Sequence, residues 1–160
     1  MRARPARRLC AALYDSAPHP VNADTSFAAP LVGRQLTAAE KRDHSWLFTF
    51  GSDLSLATEG PWRLVVDGRV VGSSEDHGQV FGLSEALDAS SQLHTHLHDQ
   101  NVEATSVVAG DLILRFPADT SLQLLQLSSG FESWRFSFRG HETICCGAES
   151  FIIYHEQFVV

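Results

Sequence analysis

Three histidines stand at alternate positions in the stretch that contains His94, His96 and His98. Imidazole is a common ligand of transition metals, and on a β-strand all three rings would share one face and could bind the same ion. On a helix only His94 and His98 are neighbours, because residues four apart lie on one face. The stretch is therefore a candidate metal site if it is a strand, and a pair of solvated side chains if it is a helix.

A second candidate is the sequence Asp76-His77-Gly78-Gln79, in a loop predicted between Ser73 and Gly82. A carboxylate that accepts a hydrogen bond from a histidine can orient the ring as a general base, although adjacency in sequence does not establish that bond. The structural alternative is that Asp76 and Gln79 satisfy backbone groups of the loop. No activated serine or cysteine lies nearby, so the sequence shows no catalytic constellation.

The third candidate is a carboxylate on an aromatic strand face, Glu132, which alternation places beside Trp134. A buried carboxylate needs a cationic partner, and Arg63 or Arg69 would serve. One interpretation is an ion pair that fixes strand register, and the other is an anchor in a groove walled by tryptophans. The predicted binding residues are Trp62, Arg63, Asp76, His77, Glu132 and Trp134.

The spacing from the histidine cluster to the next glutamate resembles the first metal motif of the cupins. That resemblance implies a β-barrel that holds iron, manganese or zinc through His96, His98 and Glu103. The chain departs from the cupin pattern at two places. Ser90 stands where the motif opens with glycine, and no histidine follows Pro117, where the second motif would supply a ligand.

Four short motifs together resemble a bacterial family of small domains of unknown function. They occur in the order Trp62-Arg63-Leu64, Asp67-Gly68-Arg69, Asp76-His77-Gly78-Gln79 and Phe131-Glu132-Ser133-Trp134. The resemblance covers roughly residues 33–138. It implies one domain with an unstructured start, and it implies no activity and no catalytic residue.

Most of the chain after residue 31 alternates between apolar and polar residues, which predicts β-strands. Asp67-Gly68 between two such runs indicates a type I′ hairpin. From Leu83 to Leu97 the apolar residues recur at steps of three and four, which predicts one helix with Ser84 as its N-cap. The predicted fold class is α+β: a mostly antiparallel β-sheet, curled or barrel-like, with one main helix packed on it. The predicted strands are 46–50, 54–58, 62–66, 69–71, 112–116, 122–127, 131–139, 143–146 and 151–154, with an edge-like strand within 33–41.

The first 30 residues differ from the rest in composition, with four prolines and four arginines. The short apolar patch that follows the arginines lacks the roughly seven apolar residues of a secretory signal. We therefore predict a disordered or loosely attached N-terminal arm over 1–30 and a single β-rich domain over 31–160. No apolar run approaches the roughly 20 residues of a membrane helix, so we expect no membrane association.

Charge and cysteine content limit the partners and the compartment. Residues 1–30 carry 4 basic and 2 acidic side chains, a charge of +2, and the remaining 8 basic and 17 acidic side chains give −9. A body with this much negative charge repels the phosphate backbone of nucleic acids, so we expect no nucleic-acid partner. The three cysteines have no disulfide spacing and fit a reducing compartment, which predicts a cytoplasmic protein.

The sequence thus favours a non-enzymatic protein-binding module that takes a basic protein partner, for example an immunity-type protein that neutralises a toxin. Two alternatives stay open. One is a cupin-like metal-dependent enzyme, and the other is a small-molecule-binding domain with a pocket between sheet and helix. No cofactor is expected, except a transition metal in the cupin-like case.

Overall fold

A computed structural model gives the structure of residues 26–146 and 151–155, with side chains as far as residue 144. The first of the described elements is a 3-10 helix at Ser26–Leu31. The remaining elements, in chain order, are β1 (Ala38–Arg42), β2 (Ser45–Thr49), β3 (Leu54–Thr58), β4 (Trp62–Val66), β5 (Arg69–Ser73), α1 (Ala89–Leu97), β6 (Ala104–Val108), β7 (Asp111–Phe116), β8 (Thr120–Leu124), β9 (Glu132–Phe138), β10 (His141–Cys146) and β11 (Phe151–His155).

The strands form two antiparallel sheets. One has the order β1-β2-β3-β9-β10-β11, and the other has the order β5-β4-β8-β7-β6. The antiparallel α+β prediction is confirmed, but the single curled or barrel-like sheet is wrong. The chain leaves the first sheet after β3 and enters the second at β4 through the short link 59–61, so the two strands do not pair and no barrel closes in the described part of the chain.

Aromatic side chains from both sheets pack against each other in the core. Trp46 and Phe48 alternate with less buried residues along β2, as the sequence predicted, and both are fully buried. Trp62 of β4 meets them edge-on, with ring centroids 5.0 Å from Trp46 and 5.7 Å from Phe48. Such edge-to-face pairs add stability beyond the area they bury. The core therefore lies between the sheets.

The helix begins later than its apolar periodicity predicted. It spans Ala89–Leu97, and Asp88 is the N-cap, whose side chain accepts a hydrogen bond from the Ser90 backbone N–H. Ser84 is therefore not the N-cap, and Leu83 is exposed. The helix starts after Asp88 because the Asp88 carboxylate accepts from a backbone N–H of the first turn, which has no partner within the helix.

The same helix links the two sheets. It packs against β1, an edge strand of the first sheet, and against β5, an edge strand of the second. Its buried side chains are Ala89, Leu93 and Leu97. The helix therefore covers one open side between the sheets, where two strand edges would otherwise be exposed.

The predicted type I′ turn at Asp67-Gly68 is confirmed. The β4–β5 link adopts positive φ angles at both Asp67 (49°) and Gly68 (71°), as a type I′ turn requires. β8 is the central strand of its sheet, and it begins at Thr120 and ends at Leu124 rather than covering 122–127. β6 was not predicted, because its run Ala-Thr-Ser-Val-Val has no clear alternation.

The packed structure includes residues that we assigned to the N-terminal arm. Ala28 of the 3-10 helix is fully buried, and the ring of Phe27 stacks 5.7 Å from that of Trp134. The rest of the predicted arm, with Cys10, lies outside the described residues, as does the segment 156–160. Among the described helices none is long and apolar enough to cross a bilayer.

Candidate functional site

The structure separates the predicted metal ligands. His94 and His96 lie within α1, and His98 is its C-cap, so the strand that the cupin resemblance implied for His96 and His98 is wrong. The rings of His94 and His98 meet with centroids 4.8 Å apart, and His98 Nδ1 lies 2.9 Å from Asp99 Oδ2. Glu103 is exposed in the link before β6. Within the described residues, no three His, Cys, Asp or Glu side chains are grouped so that they could hold a metal ion.

Asp76 and His77 do not form a dyad. Asp76 Oδ2 accepts a hydrogen bond from the Ser73 hydroxyl at 2.9 Å. His77 instead faces the start of α1, where its Nδ1 accepts from the Ala89 backbone N–H at 3.3 Å. Its ring also packs edge-on against Trp46, with centroids 5.1 Å apart. Both side chains therefore hold the loop between β5 and α1 in place.

The N-cap carboxylate shares this junction. Asp88 Oδ2 accepts from the Ser91 hydroxyl at 2.8 Å, and Asp88 Oδ1 accepts from the Ser90 N–H at 3.0 Å. The Ser91 hydrogen bond lowers the pKa of Asp88 most; the Ser90 N–H and the nearby His77 lower it further, and slight burial opposes them. The ionised form is favoured because each of these groups stabilises negative charge.

The tryptophans predicted to wall a binding groove lie in the core. Trp62 and Trp134 are each 1% exposed, so neither offers a surface to a partner. The indole N–H of Trp134 donates to the Gly110 carbonyl at 2.8 Å. Arg63, the neighbour of Trp62, points to the other face of its strand and donates from Nε to Gln123 Oε1 at 2.8 Å.

A β-bulge changes the orientation of Glu132. Between two paired positions β9 contains the two residues Ser133 and Trp134, whereas β10 contains one. Both bulge residues are buried, and the alternation along β9 is interrupted between them. Glu132 consequently lies on the side of Arg135 rather than on the aromatic face of Trp134.

The partner of Glu132 is therefore local. Arg135 Nη2 lies 3.0 Å from Glu132 Oε1, and Arg135 Nε lies 3.4 Å from Glu142 Oε1 on β10. The predicted ion pair of Glu132 with Arg63 or Arg69 is wrong. The bulge is the physical reason, because it adds a residue that the periodicity in sequence does not show.

The two sheets share one end, which we call the acidic end. Trp46 and Trp62 pack together at the starts of β2 and β4, and Trp134, near the start of β9, bonds to Gly110 in the β6–β7 turn. The loops here are 43–44, 59–61, 74–88, 109–110 and 125–131. They carry no lysine or arginine, and their carboxylates are Asp43, Glu59, Glu75, Asp76, Glu85 and Asp88.

Large apolar side chains are exposed in the loops of the acidic end. Phe81 is 69% exposed and Phe131 is 71% exposed; Val80, Leu83 and Leu127 are exposed with them. Phe81 also has a φ of 46°, a left-handed conformation that is unfavourable for a side chain of its size. The strands β5, β4 and β8 are neighbours, so their loops leave the sheet within about 10 Å of one another. Exposed apolar groups rimmed by polar ones typically mark an interaction surface.

A small hollow, the β3–β9 depression, opens at the same end. It is lined by Ser45, Ala57, Thr58, Glu59, Glu132, Ser133, Trp134 and Arg135 and has a volume of about 90 Å³. A second hollow between β1 and α1 has a volume of about 30 Å³. Pockets for drug-sized ligands are roughly 300–1,000 Å³. Neither hollow could enclose such a ligand, although the second is lined in part by Leu93 and Leu97 of α1.

The exposure of several apolar residues at the acidic end did not follow from the sequence. The helical period placed Leu83 on the buried face of a helix, and Phe131 was predicted only as the first residue of a strand. Val80 and Phe81 lie between Gly78 and Gly82, within the loop predicted between Ser73 and Gly82, so their position in a loop did follow from the sequence. Arg135 and Ser133 became relevant only through the bulge.

Comparison with known proteins gives no matching family model, no similar curated protein and no similar solved structure. The resemblances to the cupins and to the bacterial family of small domains stay predictions.

Proposed function

We propose that the protein is a non-enzymatic protein-binding module whose acidic end docks a basic partner protein. The observation that carries this proposal is the coincidence of two features in the same loops. Five large apolar side chains are exposed there, and the described loops contain six carboxylates and no lysine or arginine. Interfaces typically combine an apolar centre with a polar rim, and this end has both.

The charge of the loops supports a basic partner rather than a neutral one. None of the six carboxylates is paired with a lysine or arginine in the described part of the chain. At the opposite end, by contrast, Arg34 and Arg139 both contact Asp53, at 3.2 and 3.3 Å. An unpaired acidic surface accelerates the capture of a basic protein at low salt. An immunity-type protein that covers a basic toxin would use such a surface.

The backbone of Phe81 adds a separate argument. A bulky residue with a left-handed φ costs on the order of 1–2 kcal/mol relative to its ordinary conformation. A residue that is 69% exposed recovers little of that cost through packing within the chain. Strained residues concentrate at functional sites, and contact with a partner would give Phe81 the burial that it lacks.

The proposal can be tested with two matched surface variants. Phe81→Asn removes the aromatic ring and places at that position a residue that accepts left-handed φ angles. Val70→Thr removes a similarly exposed apolar group from the opposite end of the sandwich and keeps the β-branched shape. Each protein is immobilised and incubated with a lysate of the cells that express it, and the retained proteins are identified at about 0.05 and 0.5 M salt.

We expect a basic protein to be retained by the wild type and by Val70→Thr, to be lost with Phe81→Asn, and to be released at the higher salt concentration. Retention that is equal for the two variants would contradict docking at the acidic end. Retention that does not change with salt would remove the electrostatic basis of the proposal.

A further inference from the structure

The β3–β9 depression has an excess of negative charge. Glu59, Glu132 and Arg135 line it, and Glu142 contacts Arg135 from β10, so that −3 and +1 leave −2 in this region. Arg135 contacts Oε1 of both Glu132 and Glu142, whereas Glu59 has no ion pair within the described residues. The side chains of Glu132 and Arg135 are only about 30% exposed. A cation here would be partly shielded from water, and its attraction to the carboxylates would exceed that at a fully exposed site.

A buried hydroxyl in the wall of the depression lacks a partner. Ser133 is 8% exposed, and its Oγ forms no hydrogen bond. Its backbone carbonyl, in contrast, is fully used, since it accepts from the Thr58 hydroxyl at 2.8 Å and from the Glu59 N–H at 3.1 Å. Buried hydroxyls are seldom left unpaired, because such a group loses water without gaining a bond. The Oγ atom has almost no accessible surface in the free protein, so it becomes the partner of a donor in the depression when the Ser133 side chain rotates toward it.

The size of the depression fits one side-chain head group. Its volume of about 90 Å³ equals roughly three water molecules at about 30 Å³ each. Its two carboxylates are Glu59, in the link that follows β3, and Glu132, at the start of β9, and the two segments are joined where the Glu59 N–H donates to the Ser133 carbonyl. A guanidinium has five N–H donors in a planar fork and can bond to several acceptors at once, whereas an ammonium acts as a point charge.

We propose that the β3–β9 depression is the anchor site for one arginine side chain of the partner protein. This inference rests on the proposed function, and it names the chemistry that the partner must present. The incoming guanidinium bonds to Glu59 and to the free oxygen of Glu132, and it donates to Ser133 Oγ. Phe131, next to Glu132 in sequence, has an exposed ring.

The site can be tested without the partner. The full chain, labelled with ¹⁵N, is titrated with N-acetyl-arginine methylamide, with the lysine analogue, and with the neutral citrulline analogue. We expect saturable shifts of the amides of Ala57, Glu59 and Ser133 with the arginine probe, weaker binding of the lysine probe, and no saturable shift with citrulline. Glu59→Gln and Glu132→Gln should each weaken binding by about two- to fivefold.

Two further variants complete the test: one is expected to tighten binding of the arginine probe, and the other is a control. Arg135→Gln removes the competing cation and should tighten binding of the arginine probe by a similar factor, about two- to fivefold. Glu103→Gln removes an exposed carboxylate that lies outside the acidic end and does not line the depression, and should leave binding unchanged. An equal loss in Glu103→Gln and Glu59→Gln, a loss in Arg135→Gln, or equal binding of citrulline would overturn the anchor site. Equal binding of the lysine probe would overturn its assignment to arginine.

The anchor site and the docking surface fail in different ways. If the arginine probe does not bind while Phe81→Asn still abolishes retention of a basic protein, the anchor site is refuted and the docking surface stands. If the probe binds with the expected variant pattern while Phe81→Asn leaves retention unchanged, the cation site is supported and docking at the exposed aromatic residues is refuted.

Discussion

Removal of the Asp88 carboxylate should destabilise the start of α1 and, with it, the loop that exposes Phe81. The carboxylate accepts one backbone and one side-chain hydrogen bond, from Ser90 and Ser91. Replacement of a capping aspartate by alanine typically costs about 0.5–2 kcal/mol. The side chain of Asp88 is 53% exposed, so water replaces part of what is lost, and we expect a loss of about 1 kcal/mol for Asp88→Ala at pH 7.

The Asp88→Asn variant distinguishes the contribution of the hydrogen bonds to stability from the contribution of the charge. Asparagine caps helices about as well as aspartate, because its amide oxygen also accepts from the N2 backbone N–H. We expect Asp88→Asn to lose no more than about 0.5 kcal/mol, which is the part due to interaction of the charge with the helix terminus and with His77. The free energy of unfolding is measured by urea titration with tryptophan fluorescence, since all three tryptophans are buried.

The pH dependence of the difference follows from the lowered pKa of Asp88 in the folded state. A carboxyl group whose pKa is lower in the folded than in the unfolded state stabilises the fold fully above its unfolded pKa, about 3.9. That contribution is lost as the pH falls through the folded pKa. The stability difference between wild type and Asp88→Asn should therefore shrink as the pH falls from about 5 to 3. A constant difference, or an equal loss in both variants at pH 7, would refute the role of the charged cap.

Three further results are expected. Gly60→Ala should destabilise the fold by about 1–3 kcal/mol in the same urea titration, because the new Cβ would lie 2.9 Å from the Leu125 carbonyl oxygen. Gly130→Ala is the control: its Cβ meets no atom within 4 Å, and the free energy of unfolding should not change. Leu93→Ala should lower the free energy of unfolding by about 2–5 kcal/mol, because it leaves a cavity at a buried position of α1. Leu83→Ala should lower it by less than about 1 kcal/mol, and similar losses in the two variants would mean that the helix begins near residue 83. Elemental analysis of purified protein should give the same transition-metal content for wild type and a His96→Ala/His98→Ala variant, and a stoichiometric metal that is lost in the variant would restore the cupin-like hypothesis.

Much of the local structure could be predicted from the sequence because it depends on near neighbours. Trp46 and Phe48 showed their strand by alternation, and Asp67-Gly68 showed its turn by the need for two positive φ angles. The end of the helix at Leu97 also followed from its periodicity. The acidic composition of the body, and hence the expectation of a basic partner, required only a count of charged residues.

The composition of the candidate site could not be predicted in the same way. Glu132 seemed to share a face with Trp134, and only the pairing of β9 with β10 shows the bulge that turns it toward Arg135. Leu83 fitted a helical period, but the hydrogen bonds of Asp88 start the helix later and leave Leu83 exposed in a loop.

The sequence by itself determined most of the strands, the Asp67-Gly68 hairpin turn and the charge of the body, since each depends on the type of a residue and its spacing from near neighbours. The tertiary structure decided which side chains lie together. β3 pairs with β9 across more than 70 residues of chain, and that pairing places Glu59 beside Ser133. Partners so distant in sequence leave no periodic signal, because their contact depends on the packing of two complete sheets.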